Sequence, residues 1–257
     1  MRFSVLASGS KGNACYIETD ETRILIDSGL SCKELIRRLQ IIGKKSIRLD
    51  ALIITHEHSD HIKGVGPVAR HFDIPVLVNQ ATLKKCRKIL GNISKPIIIH
   101  TGQAITIQDL VIETFTKCHD AADPIGMIIS SNGSRLGLVT DLGRSTRMVE
   151  EHLRGCQGLI IEFNHDQVML EQGPYPLDLK RRVKGQDGHL SNDQAGRLLK
   201  AVSHKGLTKV ILAHLSEVNN LPEKAFQVAK EVLSGCSLND TEILISQQHY
   251  PMEMVEI

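Results

Sequence analysis

The sequence of 257 residues contains no tryptophan, and aromatic residues make up only 3% of it. Proteins that bind single-stranded nucleic acid rely on aromatic side chains that stack on the bases, so an extensive stacking platform is not expected here. The formal charges nearly cancel, with 31 basic and 29 acidic residues and a net charge of +2 at pH 7. This balance neither requires nor excludes a nucleic-acid partner, and any phosphate contacts must come from a local patch.

Cysteine pairs with the spacing of metal or redox motifs are also missing. The six cysteines are scattered, and no two of them form a Cys-x-x-Cys motif, which excludes a zinc ribbon or a thioredoxin-like site. The first residues lack a basic segment followed by an apolar one and a cleavage site. No apolar run approaches the roughly 20 residues that span a bilayer. We therefore expect a cytoplasmic protein with reduced thiols and no membrane partner.

Apolar runs typical of strands alternate with helical patterns along the chain. Short β-type runs at 3–7, 14–19 and 23–27 precede a helix that begins near Ser31, and the apolar run 51–55 is typical of a strand buried on both faces. Later helices are predicted at 62–72, 80–90, 145–153, 177–184, 191–203 and 222–234. Because strands and helices recur in two comparable halves, we predict an α/β fold with two sheets face to face and helices outside, a four-layer αββα sandwich. We expect residues 1–257 to form one domain.

The strongest functional signal follows the apolar run 51–55 directly. Residues 55–61 read Thr-His-Glu-His-Ser-Asp-His, and imidazole and carboxylate are the usual ligands of Zn²⁺ and related divalent ions. A turn can direct His56 and His58 towards one point and Asp60 and His61 towards a second. A solvated His-rich loop is the alternative, but the position at the end of a buried strand favours a metal site.

A turn this short cannot complete two coordination spheres, and three later residues offer the missing ligands. His119, Asp141 and His214 each follow an apolar run that is typical of a strand. Each of them alone has the context of an ordinary surface residue. Together with the His-rich turn they favour a metal centre, and we predict that it binds two divalent ions.

A second pair of residues has the chemistry of a general acid. Glu162 ends an apolar strand-like run, and His189 lies in the segment Gly-His-Leu-Ser-Asn at 188–192. A carboxylate can keep an imidazole protonated, and the imidazolium can then protonate a leaving oxyanion. The alternative is that His189 is a surface residue beside the helix N-cap Ser191.

Candidate substrate contacts come from local context. The Gly-rich turn 8–13 can bring backbone N–H groups and small side chains near the metals or a phosphate, although a plain β-turn has the same composition. His165 can face the site or take part in a helix cap with Asp166. The basic run that ends at Lys184 can contact phosphates without reading bases, whereas a solvated helix face is its alternative role and that of the run 84–88. The predicted substrate-binding residues are Ser8, Ser10, Asn13, His165, Lys180, Arg181 and Arg182.

Taken together, the motifs resemble the metallo-β-lactamase superfamily over nearly the whole chain. The resemblance rests on the His-x-His-x-Asp-His turn, on the strand-end residues His119, Asp141 and His214, and on the Ser-Gly-Ser-x-Gly-Asn and Gly-His-Leu-Ser-Asn segments. Within the superfamily, the order of the motifs is similar to that of the YycJ/WalJ-type proteins, which are similar to 5′→3′ DNA exonucleases of this fold.

This resemblance implies a fold, a ligand set and an activity. It implies the αββα sandwich and a phosphodiesterase that attacks DNA from a 5′ end with a hydroxide activated by two metals. Asp60 is placed to orient the hydroxide, and His189, held by Glu162, assists the leaving group. The ligand set that it implies is His56, His58 and His119 for one metal, Asp60, His61 and His214 for the other, and Asp141 as the bridge. The donor types accept Zn²⁺, Mn²⁺ and Fe²⁺ alike.

Two other functions are compatible with the residues alone. A small-molecule hydrolase of the same fold, such as a cyclic phosphodiesterase or a thioesterase, calls for a closed and narrow pocket. A polymer substrate calls for an open groove lined by the basic run 180–184. The third possibility is a binding module that metal stabilises without catalysis, and the large ligand set argues against it because a structural zinc site needs only four ligands.

Overall fold

Two seven-stranded β-sheets form the centre of the molecule, and the computed structural model describes all residues from Met1 to Ile257. The strands are β1 (Arg2–Ala7), β2 (Ala14–Glu18), β3 (Arg23–Ile26), β4 (Ala51–Ile53), β5 (Val76–Asn79), β6 (Pro96–Ile99), β7 (Ala104–Ile107), β8 (Leu110–Thr116), β9 (Ile125–Ser131), β10 (Ser134–Val139), β11 (Gly158–Glu162), β12 (Lys209–Ala213), β13 (Glu242–Ile245) and β14 (Val255–Glu256). The helices are α1 (Cys32–Ile41), α2 (Ser59–Ile62), α3 (Val65–Phe72), α4 (Gln80–Leu90), α5 (Arg147–Leu153), α6 (Gln167–Gln172), α7 (Leu177–Val183), α8 (Asn192–Val202) and α9 (Pro222–Gly235).

The two sheets repeat one arrangement of strands. The first sheet has the order β14-β1-β2-β3-β4-β5-β6, with antiparallel pairs from β1 to β3 and parallel pairs from β3 to β6. The second has the order β13-β12-β11-β10-β9-β8-β7, with parallel pairs from β10 to β13 and antiparallel pairs from β7 to β10. Each sheet therefore has a parallel half whose strands end at the same edge.

Strand geometry divides the apolar side chains among three cores. In β3, Ile24 and Ile26 face the second sheet while Leu25 faces the helices, because successive side chains of a strand point to opposite faces. A cluster of 21 buried residues fills the space between the sheets. A cluster of 20 residues joins the first sheet to α1, α3 and α4, and another of 21 joins the second sheet to α5, α8 and α9. Three cores separate four layers, so the predicted αββα sandwich is confirmed.

Some elements differ from the sequence prediction. The helix expected at 62–72 is two helices, α2 and α3, which are separated at Lys63 and Gly64. A Cβ on Gly64 would lie 1.8 Å from the carbonyl oxygen of Leu30, so the chain at this break packs directly on another loop. The prediction also missed α6, β13 and β14, which are short; β13 and β14 lie at the sheet edges.

Two predicted features of the helices are present. The Oγ atom of Ser31 accepts a hydrogen bond from the Glu34 amide at 3.3 Å and thereby caps α1. Ser191 and Gln194 form a capping box at the start of α8, which is a common device for satisfying free N–H groups at a helix end. None of the helices has the length and hydropathy needed to cross a membrane.

Substitution of Gly29 tests how tightly the loops at the sheet edge pack against each other. Its amide donates to the Asn13 carbonyl at 2.8 Å, and a Cβ there would lie 1.6 Å from the backbone oxygen of Asp60. We expect Gly29→Ala to lower the free energy of unfolding by about 3 kcal/mol or more, because rigid backbone must move to admit the methyl group. Urea unfolding of the metal-free proteins measures this change.

The matched control is Gly235→Ala at the end of α9, where an added Cβ meets no atom within 4 Å. Its free energy of unfolding should stay within about 1 kcal/mol of the wild-type value. Equal stabilities of the two variants would contradict the close packing described for Gly29.

Candidate metal centre

Most of the predicted metal ligands lie where the parallel strands of the two sheets end, and His119 follows β8 of the second sheet. In the first sheet, β4 leads into the His-rich turn, of which Asp60 and His61 belong to α2. In the second sheet, β10 leads to Asp141 and β12 to His214. The carboxyl ends of parallel strands are the usual place for ligands in open α/β sheets. The structure brings together all seven predicted ligands, in overlapping groups of His56, His58, His119, Asp60, His61, Asp141 and His214.

The first ligand group consists of three histidines. The ligand atoms of His56, His58 and His119 lie within 4.8 Å of one another, and Nε2 of His119 is 3.2 Å from Nδ1 of His58. Nδ1 of His119 lies 3.1 Å from the carbonyl oxygen of Gly188, which can only accept, so this nitrogen carries the proton and Nε2 is left for a metal. Thr55 Oγ1 contacts Nδ1 of His56 at 3.0 Å and leaves Nε2 of that ring free in the same way.

The second group combines a carboxylate with two histidines. Oδ2 of Asp60 is 3.5 Å from Nε2 of His61 and 3.8 Å from Nε2 of His214. Ligand atoms about 2.1 Å from a tetrahedral ion are about 3.4 Å apart, so these separations fit a common ion.

Asp141 lies between the two groups. Its Oδ2 is 3.3 Å from Nε2 of His61, and its Oδ1 is 3.4 Å from Nε2 of His214 and 4.0 Å from Nε2 of His119. One carboxylate thus faces ligand atoms from both groups, which is the placement that a bridging ligand requires.

Several ligand atoms are buried without any hydrogen-bond partner. They are Nε2 of His56, Nε2 of His214 and Oδ2 of Asp141. Because unpaired polar atoms in a protein interior are costly, native structures pair nearly all of them. Divalent cations in the two ligand groups would satisfy these atoms, one at His56 and one at His214 with Asp141 between them, so the residues fit the metals that this donor set implies.

Asp27 contacts the metal ligand His61 on the side away from the metal centre, and the sequence analysis missed this residue. Its Oδ2 lies 2.7 Å from Nδ1 of His61, and its Oδ1 accepts the Thr55 amide at 2.8 Å. A carboxylate on the second nitrogen fixes the ring of a histidine ligand and makes it more basic. The signal was present in the sequence, because Asp27 ends the run 23–27 just as the ligands end later strands.

Three strand ends turn sharply at this centre. Asp27, Asp141 and His214 have φ angles of 58°, 54° and 56°, in the left-handed region that residues other than glycine seldom adopt. Such strained conformations persist where the surroundings hold them, and they concentrate at functional sites.

Burial and charge set the protonation of the ligands. Burial lowers the pKa of His61, but the carboxylates of Asp141 and Asp27 outweigh it and raise that pKa to about 10. Burial lowers the pKa of His119 to about 4, because Asp141 offsets it only in part. At neutral pH without metal, these shifts favour the charged form of His61 and the neutral form of His119.

The predicted acid pair is in direct contact. Nδ1 of His189 lies 2.9 Å from Oε1 of Glu162, a fully buried carboxylate. The same carboxylate lies 3.1 Å from Nδ1 of His214 and accepts the amides of Leu142 and Leu190 at 3.1 and 2.9 Å. Burial raises the pKa of Glu162, but His189 and His214 outweigh it and lower that pKa. Glu162 therefore positions the candidate acid and a metal ligand together.

A cavity of about 270 Å³ opens beside the ligands. Its lining has no hydrophobic residue and consists of Ser10, His58, Ser59, Asp60, Asp141, Arg182, His189 and His214. Two of the predicted substrate contacts, Ser10 and Arg182, thus lie in the cavity wall. Nε of Arg182 donates to Asp120 at 2.6 Å, and Arg181 is exposed beside it.

Three other predicted substrate contacts have different roles in the structure. Ser8 Oγ accepts the His214 amide at 2.7 Å, and Asn13 Nδ2 donates to Asp60 Oδ2 at 3.0 Å, so both residues hold ligands in place from outside the cavity. Nζ of Lys180 donates a hydrogen bond to the Glu171 carbonyl at 2.6 Å, and the side chain of Lys180 is buried. Their contact with the substrate stays a prediction.

His165 is buried as well and does not line the cavity. Burial lowers its pKa to about 4.

Metal binding should release protons. A bound histidine must be neutral at its ligating nitrogen, whereas the raised pKa of His61 keeps that ring protonated in the metal-free protein up to about pH 10. Titration calorimetry with Mn²⁺ at pH 7.5, in two buffers of different ionisation enthalpy, should give different apparent enthalpies and an affinity that falls as the pH is lowered.

The comparison variant is Asp27→Asn, which removes one of the two carboxylates that hold this proton and should release fewer protons. Identical enthalpies in both buffers for the wild-type protein would contradict the protonation described for His61.

Comparisons with known proteins agree with this geometry. A family model described as a beta-lactamase superfamily domain matches residues 22–215. Exodeoxyribonuclease YycJ of Bacillus anthracis is 37% identical over 235 residues, which cover 91% of this chain and 89% of that protein. Exodeoxyribonuclease WalJ of Streptococcus pneumoniae is 36% identical over 241 residues, or 92% of this chain and 90% of that protein.

A solved structure shows the same fold. The metallo-beta-lactamase fold protein YhfI from Bacillus subtilis superposes with a TM-score of 0.73 at 19% identity and covers 98% of this chain and 99% of its own. With the family model and the two relatives, the chain belongs to the beta-lactamase superfamily and, within it, to the family of the YycJ and WalJ proteins.

Proposed function

We propose that this protein is a 5′→3′ exodeoxyribonuclease that uses two divalent ions. The observation that carries the proposal is the 2.9 Å contact between His189 and Glu162 at a cavity that the metal ligands also line. This cavity therefore combines a metal centre with a candidate proton donor for the leaving group. One ion is assigned to His56, His58 and His119, the other to Asp60, His61 and His214, and Asp141 is shared between them.

The choice of DNA as substrate rests on the relatives. YycJ of Bacillus anthracis and WalJ of Streptococcus pneumoniae are both named exodeoxyribonucleases, and they match this chain over about nine-tenths of its length. The 5′→3′ polarity rests on the resemblance of the ordered motifs to this family. The residues themselves support metal-assisted hydrolysis.

The divalent ions supply two effects when bound, a lowered pKa of water near neutral pH and neutralisation of charge on the phosphoryl oxygens. The chain supplies the remaining functions. Asp60 lines the cavity from α2, which supports assigning it to orient the attacking water. Because Nδ1 of His189 is held by Glu162, Nε2 is the nitrogen that can give a proton to the departing sugar oxygen.

Arg182 and Ser10 are assigned to the phosphate. The contact with Asp120 uses Nε of Arg182, so the two terminal nitrogens of the guanidinium can bind an anionic oxygen. Arg182 and Ser10 are exposed at the rim of the cavity, where a polymer can reach them. We assign Arg181, on the same helix, to a neighbouring phosphate.

The composition of the cavity argues against an acyl thioester as substrate. Sites for small organic ligands are lined mainly by apolar and aromatic side chains, whereas no hydrophobic residue lines this one. The fully polar lining suits a phosphodiester, whose charge is retained throughout the reaction.

Hydrolysis of an end-labelled duplex tests the proposed function. With Mn²⁺ and DNA labelled at its 5′ end, the label should appear first as a mononucleotide. With the label at the 3′ end, a ladder of progressively shorter labelled fragments should appear instead. An intact duplex after many hours, or early release of a 3′ label, would show that the proposal is wrong. His58→Ala is the matched control and should not shorten either substrate.

Replacement of His189 separates proton transfer from metal binding. We expect His189→Ala to lower kcat by about 10²- to 10⁴-fold, which is the usual contribution of a general acid. The metal content, measured by mass spectrometry, should stay at the wild-type value, whereas His58→Ala should lose metal. Loss of metal in His189→Ala would instead make His189 a ligand.

A further inference from the structure

A groove of about 540 Å³ lies next to the catalytic cavity. One wall comes from the loop 215–222, which follows the metal ligand His214, and the other from residues 245–250 after β13. None of the functions assigned above uses this groove.

The Gly-rich turn 8–13 separates the groove from the cavity. Ser10 lines the cavity on one side of the turn, and Ser8 lines the groove on the other. The turn is fixed to the groove wall, because the Lys11 amide donates to Oε1 of Gln248 at 2.8 Å and Nε2 of Gln248 donates to the Gly12 carbonyl at 2.9 Å. The two openings are therefore adjacent, with a single turn of chain between them.

The groove presents apolar surface that the protein itself does not cover. Tyr250 is 67% exposed and Leu221 is 47% exposed, and they belong to the two different segments that line the groove. The chain has only three tyrosines, and one of the others, Tyr16, is fully buried in the core. An exposed aromatic ring in a groove that also contains an exposed aliphatic side chain is suited to binding a flat ring.

The polar groups of the groove leave little for recognition of a particular base. The Asn220 amide donates to the carbonyls of Phe163 and Asn164, and the Gln248 amide is bound to the turn. Of the three side-chain amides in the groove, only that of the exposed Gln247 is free to bind a base edge. Because one free amide offers few contacts to a base edge, a ligand would be held mainly by its ring face.

The rim of the groove does not repel an anion. The Glu217 carboxylate is paired with Nζ of Lys11 at 2.8 Å and with Nε2 of His249 at 2.7 Å. This pairing offsets the negative charge at the edge nearest the cavity, so that a phosphate backbone can pass over it.

We propose that this groove binds one unpaired nucleotide of the DNA strand next to the scissile phosphate, with its base stacked on Tyr250. The proposal rests on the proposed function, because a strand with one phosphate in the cavity must place its neighbouring nucleotide directly beside it. Stacking on an aromatic side chain tolerates every base, since each base has a π-face. The groove therefore binds the substrate independently of base sequence.

Binding of a single-stranded oligonucleotide tests this inference. The probe is a 12-residue thymidine oligonucleotide with phosphorothioate links, which slow hydrolysis, and a fluorophore at its 3′ end. It is titrated with the Mn²⁺-loaded protein and read by anisotropy. Tyr250→Ala should raise Kd at least about fivefold, which corresponds to the lower limit for one stacked base. Tyr250→Phe keeps the ring and should stay within twofold of the wild type.

Met148→Ala is the matched control, because Met148 is 51% exposed on α5 and lies outside the groove. It should bind the probe as the wild type does. An unchanged Kd for Tyr250→Ala, or a wild-type protein that does not bind the probe, overturns the inference. Either result would leave the groove to another occupant, such as a protein segment.

The unmodified oligonucleotide separates this inference from the proposed function. Tyr250-dependent binding without any shortening of the strand would contradict the proposed function and would still support nucleotide binding in the groove. If both Tyr250→Ala and the wild type shorten the strand with the same KM, the binding of a nucleotide in the groove is contradicted and the proposed nuclease function is not. We expect shortening by both proteins, with a KM raised at least about fivefold in Tyr250→Ala.

Discussion

The contact of one buried carboxylate with histidines from both sheets is the constraint on which this structure depends. Asp141 lies just after β10 with a φ of 54°, and its two oxygens lie 3.3 Å from His61 and 3.4 Å from His214. Burial raises the pKa of Asp141, but the neighbouring histidines outweigh it and lower that pKa well below its usual value. A charge held at this depth requires partners, and the ligand groups on either side provide them.

The two halves of the fold support this centre in the same way. Asp27 at the end of β3 holds Nδ1 of His61, and Glu162 at the end of β11 holds Nδ1 of His214. Each sheet therefore contributes a buried carboxylate that turns the Nε2 atom of a histidine towards Asp141. Since the ligands come from different sheets, the apolar core between the sheets aligns them. Glu162 also binds His189, so the candidate acid is positioned relative to the metal centre by a shared side chain.

The parts of this arrangement that sequence could predict are those with a local signal. Strand-like runs followed by His or Asp indicated the ligands His119, Asp141 and His214. These residues meet because β8, β10 and β12 run in the same direction and end at the same edge of the second sheet. Contacts that depend on tertiary packing were not predictable. Lys180 belongs to a basic run, yet its amine is bound to the Glu171 carbonyl. The position of Tyr250 in the groove likewise brings it together with residues of the loop 215–222, which are distant in sequence.

The central claim is that two ions share Asp141, and anomalous diffraction from crystals grown with Mn²⁺ tests it most directly. Two anomalous peaks are expected, one surrounded by His56, His58 and His119 and the other by Asp60, His61 and His214. The Asp141 carboxylate should lie between them. A single peak, or peaks remote from Asp141, would contradict the account.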